Sequence, residues 1–185
     1  MLRMTLVLLA SPALHALILG PIPAVWINDP EHLSAPVAEY RVPYGEATAA
    51  NASELAHLLA PRLAQFSADN GTEACARFCK TPQGNIRATL ITANSHLFCV
   101  APAAMCAPNE LPKETIHSHP PQHVFCANAV DALLVEDPVK EGACGFAGDP
   151  DSFSPTDQRV DKAWLVGSRG QILYWHAPPA PIPIP

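Results

Sequence analysis

The sequence predicts an α+β domain, on two observations. Residues 47–67 place Leu55, Leu58, Leu59, Leu63 and Phe66 at helical spacing, the mark of a helix with one buried face. Beyond them the chain breaks into short apolar runs divided by turn-forming clusters. Thr81-Pro82-Gln83-Gly84-Asn85 and Ser168-Arg169-Gly170 are two of these, and they read as hairpin turns. A length of 185 residues fits one domain with a sizeable core, and 49% hydrophobic against 15% charged residues places it among globular chains.

Residues 1–20 read as an export signal. Met1-Leu2-Arg3 supplies one positive charge, and Thr5 to Gly20 is almost wholly apolar. Ser11-Pro12-Ala13 and Leu14-His15-Ala16 offer small residues for cleavage. The run is short for a membrane span, and Pro12 and His15 interrupt it. An uncleaved anchor or a buried helix is the competing reading. Export leads to the periplasm or the outside, with a membrane role confined to the signal segment. Residues 21–45 carry Pro21, Pro23, Pro30, Pro36 and Pro43, an extended arm with room for one short edge strand.

The main domain is expected at 46–177. Its helix, near 47–67, is capped by Ser53 or starts earlier in the alanine run, and Pro61 should break or kink it. Residues 73–93 read as a hairpin, and 96–101 and 114–118 as strands. Residues 128–136 read as a short helix. Ser154, Pro155 and Asp157 then suit the cap, first and third positions of a helix over 155–162. Residues 163–167 and 171–175 form a closing hairpin. The tail at 178–185 alternates proline with apolar residues and suits polyproline II.

Six cysteines, Cys75, Cys79, Cys99, Cys106, Cys126 and Cys144, make an even set, which in an exported chain predicts up to three disulfides. On one strand Cys75 and Cys79 stand about 13 Å apart, too far to bridge each other, so each needs another partner. Cys126 and Cys144 fall in the same segment and can staple it. The formal net charge is −6 with no basic run, which argues against a nucleic-acid partner. Nothing in the sequence sets an oligomeric state.

The chemistry lies in Glu114-Thr115-Ile116-His117-Ser118-His119-Pro120 and in Ser154-Pro155-Thr156-Asp157. Residues two apart on a strand point the same way, so His117 and His119 can face one ion while Ser118 faces away. Asp157, held at a helix start, can add a third ligand. Three protein ligands and an open position describe a catalytic zinc site rather than a structural one. With eight histidines in the chain, a His-x-His pair arises by chance about 0.3 times, so the pair gains meaning only from what surrounds it.

His-Ser-His-Pro followed by Ser-x-x-Asp resembles the JAMM metallopeptidase family, the MPN or JAB domain, and the order of elements over 47–175 is similar to it. The resemblance implies a mixed β-sheet flanked by helices, a cytidine-deaminase-like sandwich. It implies Zn²⁺ on His117, His119 and Asp157. It implies a glutamate general base on an early strand, a place taken by Glu73, and a hydroxyl oxyanion donor, Ser154. Glu54 and Glu114 are the rivals of Glu73. Glu54 reads as a helix-surface residue, and Glu114, three before His117, falls on the opposite strand face. His123 reads as a loop residue near the site.

Secreted toxins and isopeptidases occur among the similar proteins, so the implied substrate is a protein or a peptidoglycan peptide. Two departures stand out. Residues 121–152 form an insertion between His119 and Ser154, holding Cys126, Cys144, Asp131, Glu136, Asp137, Glu141, Asp149 and Asp151, and it can act as a lid or a block. The family's glycine-rich stretch is here Ala74-Cys75-Ala76. A metal-free binding module on the same fold, engaging a protein or cell-wall partner, is the alternative.

Overall fold

Two short strands inside the proline-rich arm, β1 (Val25–Asp29) and β2 (Leu33–Val37), pair with each other as an antiparallel ribbon apart from the main sheet. The arm therefore carries a hairpin rather than one edge strand. The computed structural model describes residues 25–29, 33–37, 46–133 and 139–177. The export segment at 1–20, most of the arm and the tail at 178–185 lie outside the described residues. No helix among the described residues is long and apolar enough to cross a membrane.

The helix starts later than its alanine run suggests. Residues Glu46–Ala49 form strand β3, and helix α1 spans Ala52–Asn70. Asn51, not Ser53, is the cap. Its side chain accepts from the Glu54 N–H at 2.9 Å, and Glu54 reaches back to the Ala50 N–H at 3.3 Å. This reciprocal exchange fixes the first turn. Pro61 sits inside the helix without ending it. It lies on the exposed side, where water can reach the carbonyl it leaves unpaired. The opposite side buries Leu55, Leu59, Leu63 and Phe66 at about 1.5–3 kcal/mol each, which outweighs the proline's cost of about 3 kcal/mol. Gly71 closes the helix in the left-handed conformation, φ 69°, and its N–H donates to the Ser67 carbonyl.

The sheet is mixed. Its strands are β4 (Ala74–Lys80), β5 (Ile86–Ile91), β6 (Leu111–Ser118), β9 (Lys162–Val166) and β10 (Ile172–His176), together with β3, in the order β10-β9-β6-β4-β5-β3. All neighbours are antiparallel except β6 and β9. The insertion supplies the remaining pair, β7 (Val124–Cys126) and β8 (Cys144–Phe146), as a separate hairpin. The expected 73–93 and closing hairpins are therefore present, and so is the strand that bears the histidines.

Alternation along the strands makes two cores. Ala74, Ala76, Phe78, Ala88, Leu90, Ile116 and Val166 face α1. On the other face, Cys75, Ile91 and Ala101 gather with Cys99, Val100 and Met105. That face was expected to carry helices. Among the described residues it carries an irregular segment instead, and the strand expected at 96–101 is absent. Two disulfides, Cys75–Cys99 and Cys79–Cys106, tie the segment to β4. Between them Arg77 Nε donates to the Ala101 carbonyl at 2.8 Å. The cross-links hold in place a stretch too short of apolar spacing to form its own element. Cys126 bonds Cys144 as expected, and the described residues hold no free cysteine.

Two further helices shrink to single 3-10 turns. Asp131–Leu133 stands where 128–136 was expected, with 134–138 outside the described residues. Asp157–Arg159 stands where 155–162 was expected. The residues from Thr156 to Asp161 are mostly exposed, so a longer helix there has no apolar face to bury.

Arg87 on β5 grips Glu110, just before β6, in a bidentate pair at 2.9 and 2.6 Å. This arginine holds the Glu110 carboxyl down from 4.5 to about 2, helped by the Ala107 N–H. A lowered folded value stabilises fully above about 4.5 and is lost as pH falls through about 2. Glu110→Gln should therefore lower stability at pH 7 by on the order of 1 kcal/mol, and the gap to wild type should close between pH 4.5 and 2. Urea midpoints across that range measure it. A gap independent of pH would show that the ion pair is not its source.

Candidate metal centre

Strand β6 ends at the centre. Ile116 and Ser118 turn toward α1, where Ser118 Oγ meets Ser67 Oγ at 2.7 Å and is fully buried. The alternate residue, His117, turns the other way, beside Cys75 of β4 and Leu165 of β9. His119 follows, its N–H on the Val166 carbonyl at 3.4 Å. His117 and His119 bring their Nε2 atoms within 3.2 Å of each other.

Asp157 arrives from the long connection between the parallel strands β6 and β9. Its Oδ1 lies 3.4 Å from His117 Nε2 and its Oδ2 lies 3.6 Å from His119 Nε2. The structure thus brings His117, His119 and Asp157 together as a group that could hold a metal ion. Ser154 fixes the carboxylate. Its N–H donates to Asp157 Oδ2 at 2.8 Å, and its Oγ accepts from the Asp157 N–H at 3.1 Å. So a 3-10 turn does the anchoring expected of a helix start.

The electrostatics suit a cation. Burial opposes ionisation of Asp157, but hydrogen bonds from His117, His119 and Ser154 override it and hold the carboxyl far below its usual range. Burial likewise opposes a charged His119, yet Asp157, Glu73 and the Pro150 backbone together raise it. The ionised Asp157 carboxylate beside two imidazole nitrogens favours a cation at this point.

Glu73 comes from the residue just before β4, opposite His119 by continuation of the strand register. Its Oε1 stands 3.9 Å from His119 Nε2, and it is almost fully buried, 6% exposed. Burial pushes its carboxyl up to about 7, against the pull of His119 and His117 and with the push of Asp157 and Asp131. The rival glutamates lie elsewhere. Glu54 is exposed at the start of α1, and Glu114 shares the strand face of Ile116 and Ser118. His123 is an exposed loop residue.

The loop that carries Asp157 has its own anchor. Asp151 Oδ1 accepts from the Ser168 N–H at 2.7 Å and the Ser168 hydroxyl at 2.9 Å. Gly167 makes this approach possible, since a Cβ there would sit 2.6 Å from Asp151 Oδ1 and 2.4 Å from Gln171 Nε2. Phe153 stands edge-on to His117, centroids 6.3 Å apart. Sequence reasoning passed over Pro150 and Phe153 and counted Asp151 only among the acids of the insertion, because no spacing marks a loop residue that acts through a distant turn.

A second group, Cys79, Cys106 and Glu110, also lies close enough for a metal. Its two sulfurs are bonded to each other, which leaves no thiolate to coordinate. The chain matches no family model, no curated protein and no solved structure.

Proposed function

We propose that the chain is an exported, zinc-dependent hydrolase of the JAMM type that cleaves an amide bond in a protein or a peptidoglycan peptide. The clustering of donor atoms from His117, His119 and Asp157 carries this reading. Three ligands at about 2.0–2.1 Å from a tetrahedral zinc lie roughly 3.3–3.4 Å from one another. Here the two Nε2 atoms stand 3.2 Å apart, Asp157 Oδ1 lies 3.4 Å from His117 and the other oxygen, Oδ2, lies 3.6 Å from His119, and one donor atom from each residue keeps the three within 4.8 Å of one another. Two imidazoles and one carboxylate leave a fourth position open, as catalytic zinc requires. The glutamate beside them and the disulfides, which fit an oxidising compartment, add support.

Bound there, zinc supplies a Lewis acid that polarises an amide carbonyl and makes water easier to deprotonate. Glu73 takes the water's proton on its carboxylate and returns it to the leaving amine. His119 is kept in orientation by the Pro150 backbone, and Asp157 by Ser154. The Ser154 hydroxyl also serves Asp157, so it turns toward the substrate oxygen only by giving up that bond.

Metal analysis tests the reading. Protein purified without chelator should carry about one zinc per chain, and His119→Ala should lose it. Wild-type protein that stays metal-free when supplied with zinc would refute the assignment. Zinc-loaded protein inert on peptidoglycan fragments and on isopeptide-linked substrates would favour a binding module on the same scaffold.

A further inference from the structure

We infer that the cleft beside the metal centre binds a peptide segment carrying a positively charged amine, with His96 as the residue that reads it. The inference deepens the hydrolase reading and rests on it only for what the bound segment is used for. The cleft, about 370 Å³, lies between the C-terminal end of α1 and the β7–β8 hairpin. Its lining includes Pro120, one residue past His119, together with Asp69, Asn70, Gly71, His96 and Phe125.

His96 is built into place. Its Nδ1 lies 2.6 Å from Asp131 Oδ2, and its own N–H donates to Asp131 Oδ1 at 2.8 Å. Asp131 is fully buried and also accepts from Ser95 Oγ and from the Asn128 N–H. Its burial opposes ionisation, but these donors outweigh that and hold it below the usual range. The His96 ring stacks on Phe125, centroids 5.4 Å apart. A carboxylate can only accept, so the proton on this side belongs to Nδ1, and Nε2 of the neutral ring is an acceptor. Among the described residues Nε2 has no partner.

That spends a buried aspartate and an aromatic stack on fixing one acceptor at a cleft wall. Asp131 also pushes on the Glu73 carboxyl, but among the described residues no hydrogen bond or ion pair joins the His96 ring to His117, His119 or Asp157. The charge on the wall agrees with the ligand. Asp69 contributes a carboxylate, and no lysine or arginine lines the cleft among the described residues. An acceptor ring and a carboxylate select a donor, and an ammonium group supplies both donors and charge. A substrate carboxylate meets repulsion instead.

Two capped tripeptides test this, acetyl-Ala-Lys-Ala-amide and acetyl-Ala-Glu-Ala-amide, titrated into the isotope-labelled full chain with and without zinc and followed by NMR. The lysine peptide should shift the His96 ring and Phe125 resonances. It should bind about fivefold more tightly than the glutamate peptide, the ratio that one net hydrogen bond sustains. His96→Ala should abolish the preference. Asp69→Asn, on the exposed end of α1, should reduce it without touching the buried network. Equal binding of the two peptides, or lysine-peptide shifts confined to other surfaces, would overturn the inference. The readout needs no metal, so a chain that fails to load zinc refutes the hydrolase reading and still reports on the cleft.

Discussion

Glu73→Gln should leave bound zinc unchanged and lower amide hydrolysis by about 10²–10⁴-fold, the usual worth of general acid–base assistance. Glutamine keeps the size of the side chain and its hydrogen-bonding reach, and removes only the base. Glu73 is not one of the three clustered donors, so the metal has no reason to leave. The geometry isolates it. It is nearly buried, it stands 3.9 Å from His119 Nε2, and both rival glutamates point elsewhere. His117→Ala should instead lose metal and activity together. Metal content and turnover measured on the same samples separate the two. A Glu73→Gln enzyme with full activity would mean that the proton goes to another group and that the base is misassigned.

The elements read from the sequence were those whose own residues declare them. The apolar period of α1 shows in Leu55, Leu59, Leu63 and Phe66, and the turns at 81–85 and 168–170 mark their hairpins. The errors fall where tertiary context decides. Pro61 is tolerated because its face is exposed and the other face is deeply packed. Residues 96–101 stay irregular because disulfides and Arg77 hold them, so they need no ladder. The turn at Asp157 ends after one cycle because it has no apolar face. The candidate centre was legible in part because His-x-His is a strand-period signal that needs no knowledge of the fold. His96 and Asp131 were not legible. They lie 35 residues apart, and only the folded chain joins them.

The two cross-link types should differ sharply in what their loss does. Cys75–Cys99 closes a separation of 24 residues, for which chain entropy gives about 3.5 kcal/mol. Cys126–Cys144 closes 18 residues, and the same reasoning gives about 3.2 kcal/mol. Loop length alone therefore predicts nearly equal losses. Position predicts otherwise. Cys75 pairs in register with His117 on the central strands, and its bond pins the segment that covers that face of the sheet. Removing it exposes a core and frees the segment bearing Ser95, whose carbonyl holds the Glu73 N–H at 2.8 Å. Cys126 and Cys144 lie opposite each other in an outlying two-stranded hairpin with Val124 and Phe146 exposed. Such a hairpin can open by itself, without unfolding the sheet. Cys75→Ala with Cys99→Ala should thus lower global stability by about 3–5 kcal/mol and weaken metal binding. Cys126→Ala with Cys144→Ala should leave the urea midpoint within about 1 kcal/mol of wild type while amide exchange in β7 and β8 speeds up. Equal falls in global stability would show that the hairpin folds as one unit with the sheet.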